Sequence, residues 1–174
     1  MADPKIIGLD FETRSRCDLK EQGVYNYAAD PSTDILCVAV TDMADPDARV
    51  LSWSPFLDTD DNLIAEVAIK RMCKNAEVIM AHNSAFDQSI YENVAVVEYG
   101  FPTKTLDSWY CTSAHARLNA LPAGLDDATR ALGTLHRKDH SGSRLIRKLS
   151  IPQKDGEFYM GATELAEMIE YCAK

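Results

Sequence analysis

The chain has 174 residues, a formal net charge of −9, and 46% hydrophobic against 26% charged residues. That suffices for one domain with its own core, and no apolar run approaches the length that spans a bilayer. An acidic total argues against a surface that grips duplex DNA over its whole extent.

Strands are expected over residues 5–9, 35–41, 50–53 and 77–81. Turn-rich stretches such as Asp30-Pro31-Ser32-Thr33 and Ala44-Asp45-Pro46-Asp47 separate the first three, which predicts an antiparallel meander. A helix is expected over residues 62–74, where Leu63 and Val67, and Ile64 and Ala68, fall at helical spacing. A second helix is expected over 84–97. Further helices follow over 108–118, over 124–132 with Gly133 as a stop, over 143–149, and from 163 to the end. Three strands, a helix, a strand and then helices predict an α/β layer structure around one mixed sheet. In the last helix, Leu165, Met168, Ile169 and Cys172 make an apolar stripe, with Tyr171 off it beside Glu167. No Gly or Pro closes that helix, so the expectation is one domain over 1–174, cut within its last helix.

Charge is uneven along the chain. Acids dominate residues 1–62, whereas Arg130, Arg137, Lys138, Arg144, Arg147 and Lys148 cluster around the single acid Asp139. This basic stretch reads either as a solvated face or as a local edge that contacts phosphate. The 5 cysteines form no C-x-x-C pair, and the N-terminus has no charged region followed by a long apolar stretch. Reduced thiols and a cytoplasmic location are therefore expected. His136 and His140 are four apart with no cysteine pair nearby, so zinc is not expected.

The chemistry concentrates in two places. Asp10-Phe11-Glu12 follows the apolar run Ile6-Ile7-Gly8-Leu9. Alternation along a strand points Asp10 and Glu12 one way, and Leu9 and Phe11 the other, into a core. Two carboxylates side by side repel, and a hard divalent cation such as Mg²⁺ or Mn²⁺ relieves that repulsion. The second place is His82-Asn83-Ser84-Ala85-Phe86-Asp87, at a strand-to-helix junction where Asn83 or Ser84 can cap the helix. Asp87, one turn in, reads either as a solvated first-turn acid or as a third carboxylate reaching the same point. His82 reads as a structural histidine.

Asp10-Phe11-Glu12-Thr13, His82-Asn83-x-x-Phe86-Asp87 and Tyr171 together resemble the three motifs of the DEDD, or DnaQ-like, 3′→5′ exonucleases, tyrosine-type subgroup. The likeness runs from about residue 5 to the end of the chain. Gly23-Val24-Tyr25-Asn26-Tyr27-Ala28, Pro31-Ser32-Thr33-Asp34-Ile35-Leu36-Cys37 and the segment 138–149 further resemble the exonuclease part of phage-type family A polymerases.

The resemblance implies an RNase H-like fold and hydrolysis of DNA 3′-terminal phosphodiesters with two divalent cations, Mg²⁺ or Mn²⁺, about 3.5–4 Å apart. It assigns Asp10, Glu12 and Asp87 to the metals and Tyr171 to the attacking water. Phe11, Thr13, Asn83 and Phe86 are candidates to hold the terminal bases of a single-stranded or frayed DNA 3′ end. Arg144, Arg147 and Lys148 are candidates for phosphate contacts. Phe11 and Phe86 can equally fill the core. The family's third motif is Tyr-x-x-x-Asp, whereas this sequence reads Tyr171-Cys172-Ala173-Lys174 and stops before the Asp. Weak or absent activity of the chain as given is therefore expected, as is a polymerase domain in a longer protein. Two other readings stay open: an inert exonuclease-like module that binds nucleic acid or braces a polymerase, and an exonuclease for RNA 3′ ends.

Overall fold

A computed structural model describes residues 5–134 and 142–173, apart from the side chain of Ser143. Arg137, Lys138, Asp139, His136 and His140, singled out above, lie outside the described residues. A five-stranded mixed sheet runs in the order β3-β2-β1-β4-β5. Its strands are β1 (Ile6–Arg14), β2 (Asp34–Asp42), β3 (Leu51–Trp53), β4 (Val78–Ala81) and β5 (Trp109–Cys111). The β1–β2 and β2–β3 pairs are antiparallel and the β1–β4 and β4–β5 pairs parallel, so the expected meander and the RNase H-like α/β arrangement agree with the structure.

The helices are α1 (Leu19–Ala29), α2 (Asp60–Asn75), α3 (Ala85–Ile90), α4 (Val96–Tyr99), α5 (Thr112–Leu118), α6 (Leu125–Leu132), α7 (Gly142–Leu149) and α8 (Ala162–Cys172). A π-helical turn, Tyr91–Ala95, joins α3 to α4 within the single helix expected there. Among the described residues, no helix is long and apolar enough to cross a membrane.

Two cores flank the sheet. Ile7, Leu9, Phe11, Val38 and Val40 face one way and pack with Ile69, Cys73, Ile90, Tyr91 and Phe101. Leu36, Cys37 and Ala39 face the other way and pack with Leu145, Leu149, Met168 and Cys172 of α7 and α8. A register shift between Glu12 and Thr13 explains why neighbouring Leu36 and Cys37 both serve the second core. An extra residue in one strand of a pair breaks the strict in-out alternation.

Four expectations are corrected. The first strand does not stop at Leu9 but runs to Arg14, because β2 offers it partners from Asp42 to Asp34. Helix α1 was not expected. Asp18 caps it, its side chain accepting from the backbone N–H groups of Lys20 and Glu21, but Gly23 interrupts it at φ 77° and only Tyr27 and Ala28 are buried. It therefore lacks the apolar periodicity that marks a helix in sequence. The helix expected over 108–118 starts only at Thr112: Ser108 ends a 3-10 turn, and Trp109, Tyr110 and Cys111 form β5, which pairs with Ile79, Met80 and Ala81. Finally, the spacing that marked α2 does not mark its buried face. Leu63, Ile64 and Val67 are exposed, and the helix buries Asn62, Ile69, Met72 and Cys73 instead. Asn62 earns its buried place by bonding Ser54 and Leu57: its Oδ1 accepts from the Ser54 amide at 3.0 Å, and its Nδ2 donates to the carbonyls of Ser54 and Leu57.

Helix α8 behaves as its stripe predicts, with Leu165, Met168 and Cys172 buried and Ile169 half-buried. Met168 has no exposed surface and joins the sheet to α7 and α8. Met168→Ala is expected to cost about 2–5 kcal/mol, read as a lower urea midpoint at unchanged slope.

Candidate active site

The site forms where β1 outruns its parallel neighbour. Strand β4 pairs only with Ile6, Ile7 and Gly8 of β1, so among the described residues no strand lines that side of β1 from Leu9 onward. Helix α3 packs there, against β1 and α1. The Phe11 amide, left without a strand partner on that side, donates to Oδ1 of Asp87 at 3.2 Å. Asp87 is 2% exposed, so it is no solvated first-turn acid.

Asp10 and Glu12 lie on the opposite face from Leu9 and Phe11, as alternation requires. Asp10 is exposed and Glu12 half-buried, whereas Leu9 and Phe11 are 4% exposed. Their cross-strand partners are Ala39 and Cys37, which belong to the α7–α8 core. The two acids therefore share a face with α8. The last turn of α8 reaches β1 there: the Cys172 thiol lies 3.6 Å from the Asp10 carbonyl oxygen, to which it donates. Tyr171, the residue before it, is half-buried. The fold thus brings Asp10, Glu12, Asp87 and the Tyr171 turn to one stretch of β1.

The electrostatics record that crowding. Burial and then the charge of Asp10, with a smaller push from Glu12, raise the Asp87 carboxyl to about 8 against an ordinary 3.8. Three carboxylates, one of them buried, form a donor set of hard oxygens whose repulsion a divalent cation would relieve. By charge and donor type the residues fit such an ion. Among the described residues, however, no three His, Cys, Asp or Glu side chains already stand in a metal-holding arrangement.

The other expected site residues fall into two groups. Phe11 packs in the core with its ring 6.5 Å from Tyr91. Thr13 is buried, and its hydroxyl lies 2.9 Å from that of Tyr27. Both are committed to the interior. Phe86 is half-buried with its ring 5.9 Å from Tyr27, while Asn83 is exposed. Asn83 adopts φ 66°, a left-handed turn that Asn tolerates. Neither expected cap is seen at α3: Ser84 occupies the cap position but its side chain makes no capping bond to the helix, and Asn83 supplies only its carbonyl, to the Phe86 amide. Tyr27 is buried and Tyr25 is 77% exposed. His82 is structural: Nε2 donates to the Ala123 carbonyl at 2.8 Å, and Nδ1 lies 3.0 Å from the Thr112 hydroxyl.

Two of the three basic candidates are engaged within the fold. Lys148 pairs with Glu164 and lies over the Tyr159 ring, and Arg144 reaches Glu167 at 3.3 Å. Arg147 is exposed. Cys37 and Cys172, to which the sequence assigned no role at the site, lie in the core beneath α8. Only their place on the α7–α8 face, which depends on the β1–β2 register, gives them significance.

The shift of Asp87 has a sign. Its proton is held more tightly in the folded protein, so its stabilising contribution is full below about pH 4 and is lost as the pH climbs through about 8. In chelator-treated protein, stability should fall between pH 5 and pH 8. Asp87→Asn keeps an acceptor for the Phe11 amide and should flatten that fall, leaving the variant more stable at pH 8 by on the order of a few kcal/mol. Thermal unfolding at the two pH values measures the difference.

No protein-family model matches the chain. It is 31% identical over 151 residues to a protein named DNA polymerase from Bacillus phage SP02. The match covers 86% of this chain and 22% of that protein, so the chain spans about a fifth of the relative's length and is similar to a part of a phage DNA polymerase.

Proposed function

We propose that the acids of β1 and α3 form a metal-dependent 3′→5′ exonuclease centre that removes nucleotides from a DNA 3′ end in the service of a polymerase. The observation that carries the reading is the buried Asp87 carboxylate pressed against β1 within range of Asp10 and Glu12. With its carboxylates ionised and no cation present, such an arrangement costs a fold stability. The similarity to a phage DNA polymerase supplies the setting in which trimming a 3′ end is useful.

Asp10, Glu12 and Asp87 are the residues that would hold divalent cations. Bound there, such ions supply Lewis-acid stabilisation of the scissile phosphate and lower the pKa of water. The chain's own residues do the rest. The buried side of β1, anchored by Leu9 and Phe11, fixes the backbone from which Asp10 and Glu12 project. The Phe11 amide fixes the Asp87 carboxylate. Tyr171, carried to this face by α8, orients the attacking water through its phenol. Asn83 and the half-buried Phe86 flank Asp87 and are the side chains left to meet the terminal base. Phe11 and Thr13 have no part in that contact. The acidic surroundings suit a flexible single-strand end better than a duplex gripped along its length.

Shortening of a single-stranded DNA oligonucleotide, labelled so that 3′ loss is read directly, tests the reading with Mn²⁺ present, in a chain lengthened by about ten residues that place an Asp directly after Lys174. Stepwise loss from the 3′ end is expected of the lengthened chain, abolished by EDTA and reduced on the order of 10²-fold or more by Asp10→Ala in that chain, in line with the several kcal/mol that a lost metal-binding carboxylate removes. Binding of DNA by the lengthened chain with no cleavage at any cation concentration would sink the enzymatic reading. Faster loss from a matched RNA would transfer the substrate to RNA.

A further inference from the structure

The first residue of α7, Gly142, lies directly beneath the ring of Tyr171. A Cβ placed on Gly142 would stand 2.6 Å from Cε1 of that ring and closer still to Cε2 and Cζ. No real side chain makes such a contact, and an aromatic ring cannot yield as the tip of a lysine can. Gly142 is buried, and only a residue without a side chain lets ring and helix backbone meet in this way.

The rest of α7 is fastened so that this contact cannot slide. Leu145 and Leu149 are 4% and 0% exposed and pack with Met168 and Cys172 of α8. Lys148 pairs with Glu164, Arg144 reaches Glu167 at 3.3 Å, and the Ser150 carbonyl accepts from the Ser15 amide just past β1 at 3.2 Å. Surface ion pairs add little stability by themselves, but several on one seam set its register. The same turn of α8 that carries Tyr171 touches Asp10 through Cys172.

We infer that Gly142 is a positioning residue for Tyr171, and that α7 acts as the brace that holds this tyrosine over the Asp10–Glu12 face. The basic residues Arg144 and Lys148 then serve the brace, by gripping α8, rather than the phosphates of a substrate. This inference rests on the exonuclease reading, which gives Tyr171 its task.

Gly142→Ala is the test, in the lengthened protein labelled with 3-fluorotyrosine, with the Tyr171 signal identified by its loss in Tyr171→Phe. The alanine should move the Tyr171 fluorine resonance while the other tyrosine signals hold. It should also slow single-turnover cleavage on the order of 10–100-fold, the scale of loss from misplacing a reacting group, with DNA affinity unchanged. In the Tyr171→Phe background, where no phenol remains to be misplaced, Gly142→Ala should leave the already lowered rate within about twofold. An equal slowing in both backgrounds would show a merely structural defect and overturn the positioning role, as would a moved resonance with an undiminished rate or a resonance that stays in place. If the lengthened protein without these substitutions cuts no 3′ end, the exonuclease reading fails and the positioning role falls with it. A moved resonance would then record only packing.

Discussion

The repulsion among Asp10, Glu12 and Asp87 is the constraint around which the site is built. A chain of net charge −9 has many places to put acids in water. This one instead places Asp87 at 2% exposure against a strand that carries two more, at a cost visible in the raised proton affinity of its carboxyl. The surrounding structure over-determines the arrangement. Strand β4 ends early enough to leave the Phe11 amide for Asp87, and the first core holds Leu9 and Phe11 so firmly that Asp10 and Glu12 have no other face to occupy. A costly arrangement held this firmly marks a functional site more often than a structural accident.

The two sides of the sheet divide the labour. The side with α2, α3 and the π-helical turn is dry and aromatic, with Tyr91 ringed by Phe11, Phe101 and Trp109. It anchors the backbone of β1 and delivers Asp87. The side with α7 and α8 is thinner, and its core reaches the acids directly through Cys37, Ala39 and Cys172. Small side chains there let α8 approach β1 closely enough for the Cys172 thiol to reach the Asp10 carbonyl at 3.6 Å. Tyr171 thus lies beside the acids because of what packs under its neighbour.

Much of this was legible in the sequence, for identifiable reasons. The alternation Leu9-Asp10-Phe11-Glu12 predicted which side chains face the core, because period-two geometry leaves a strand no choice. The stripe on α8 predicted its buried face for the same kind of reason at period 3.6. What escaped was set by distant partners. Strand β5 shows three residues to the sequence, too few for a period, and exists because Ala81 and its neighbours offer it an edge. Helix α1 hides behind the positive φ of Gly23. The face of α2 was misassigned because Asn62, a polar residue, is buried there by its bonds to Ser54 and Leu57 while Leu63, Ile64 and Val67 stay exposed. The site acids were legible as motifs, but the burial of Asp87 and the contact between Gly142 and Tyr171 were not. Both join residues far apart in the chain.

The account stands or falls on whether the three acids bind divalent cations as a unit. Electron paramagnetic resonance can count bound Mn²⁺ during titration of the unaltered protein, Asp10→Ala and Asp87→Asn. The account predicts saturable binding in the unaltered protein that collapses in both variants, although one changes an exposed acid and the other a buried one. Equal uptake of Mn²⁺ by all three proteins would contradict it, leaving the carboxylates of β1 and α3 as neighbours without a shared ion.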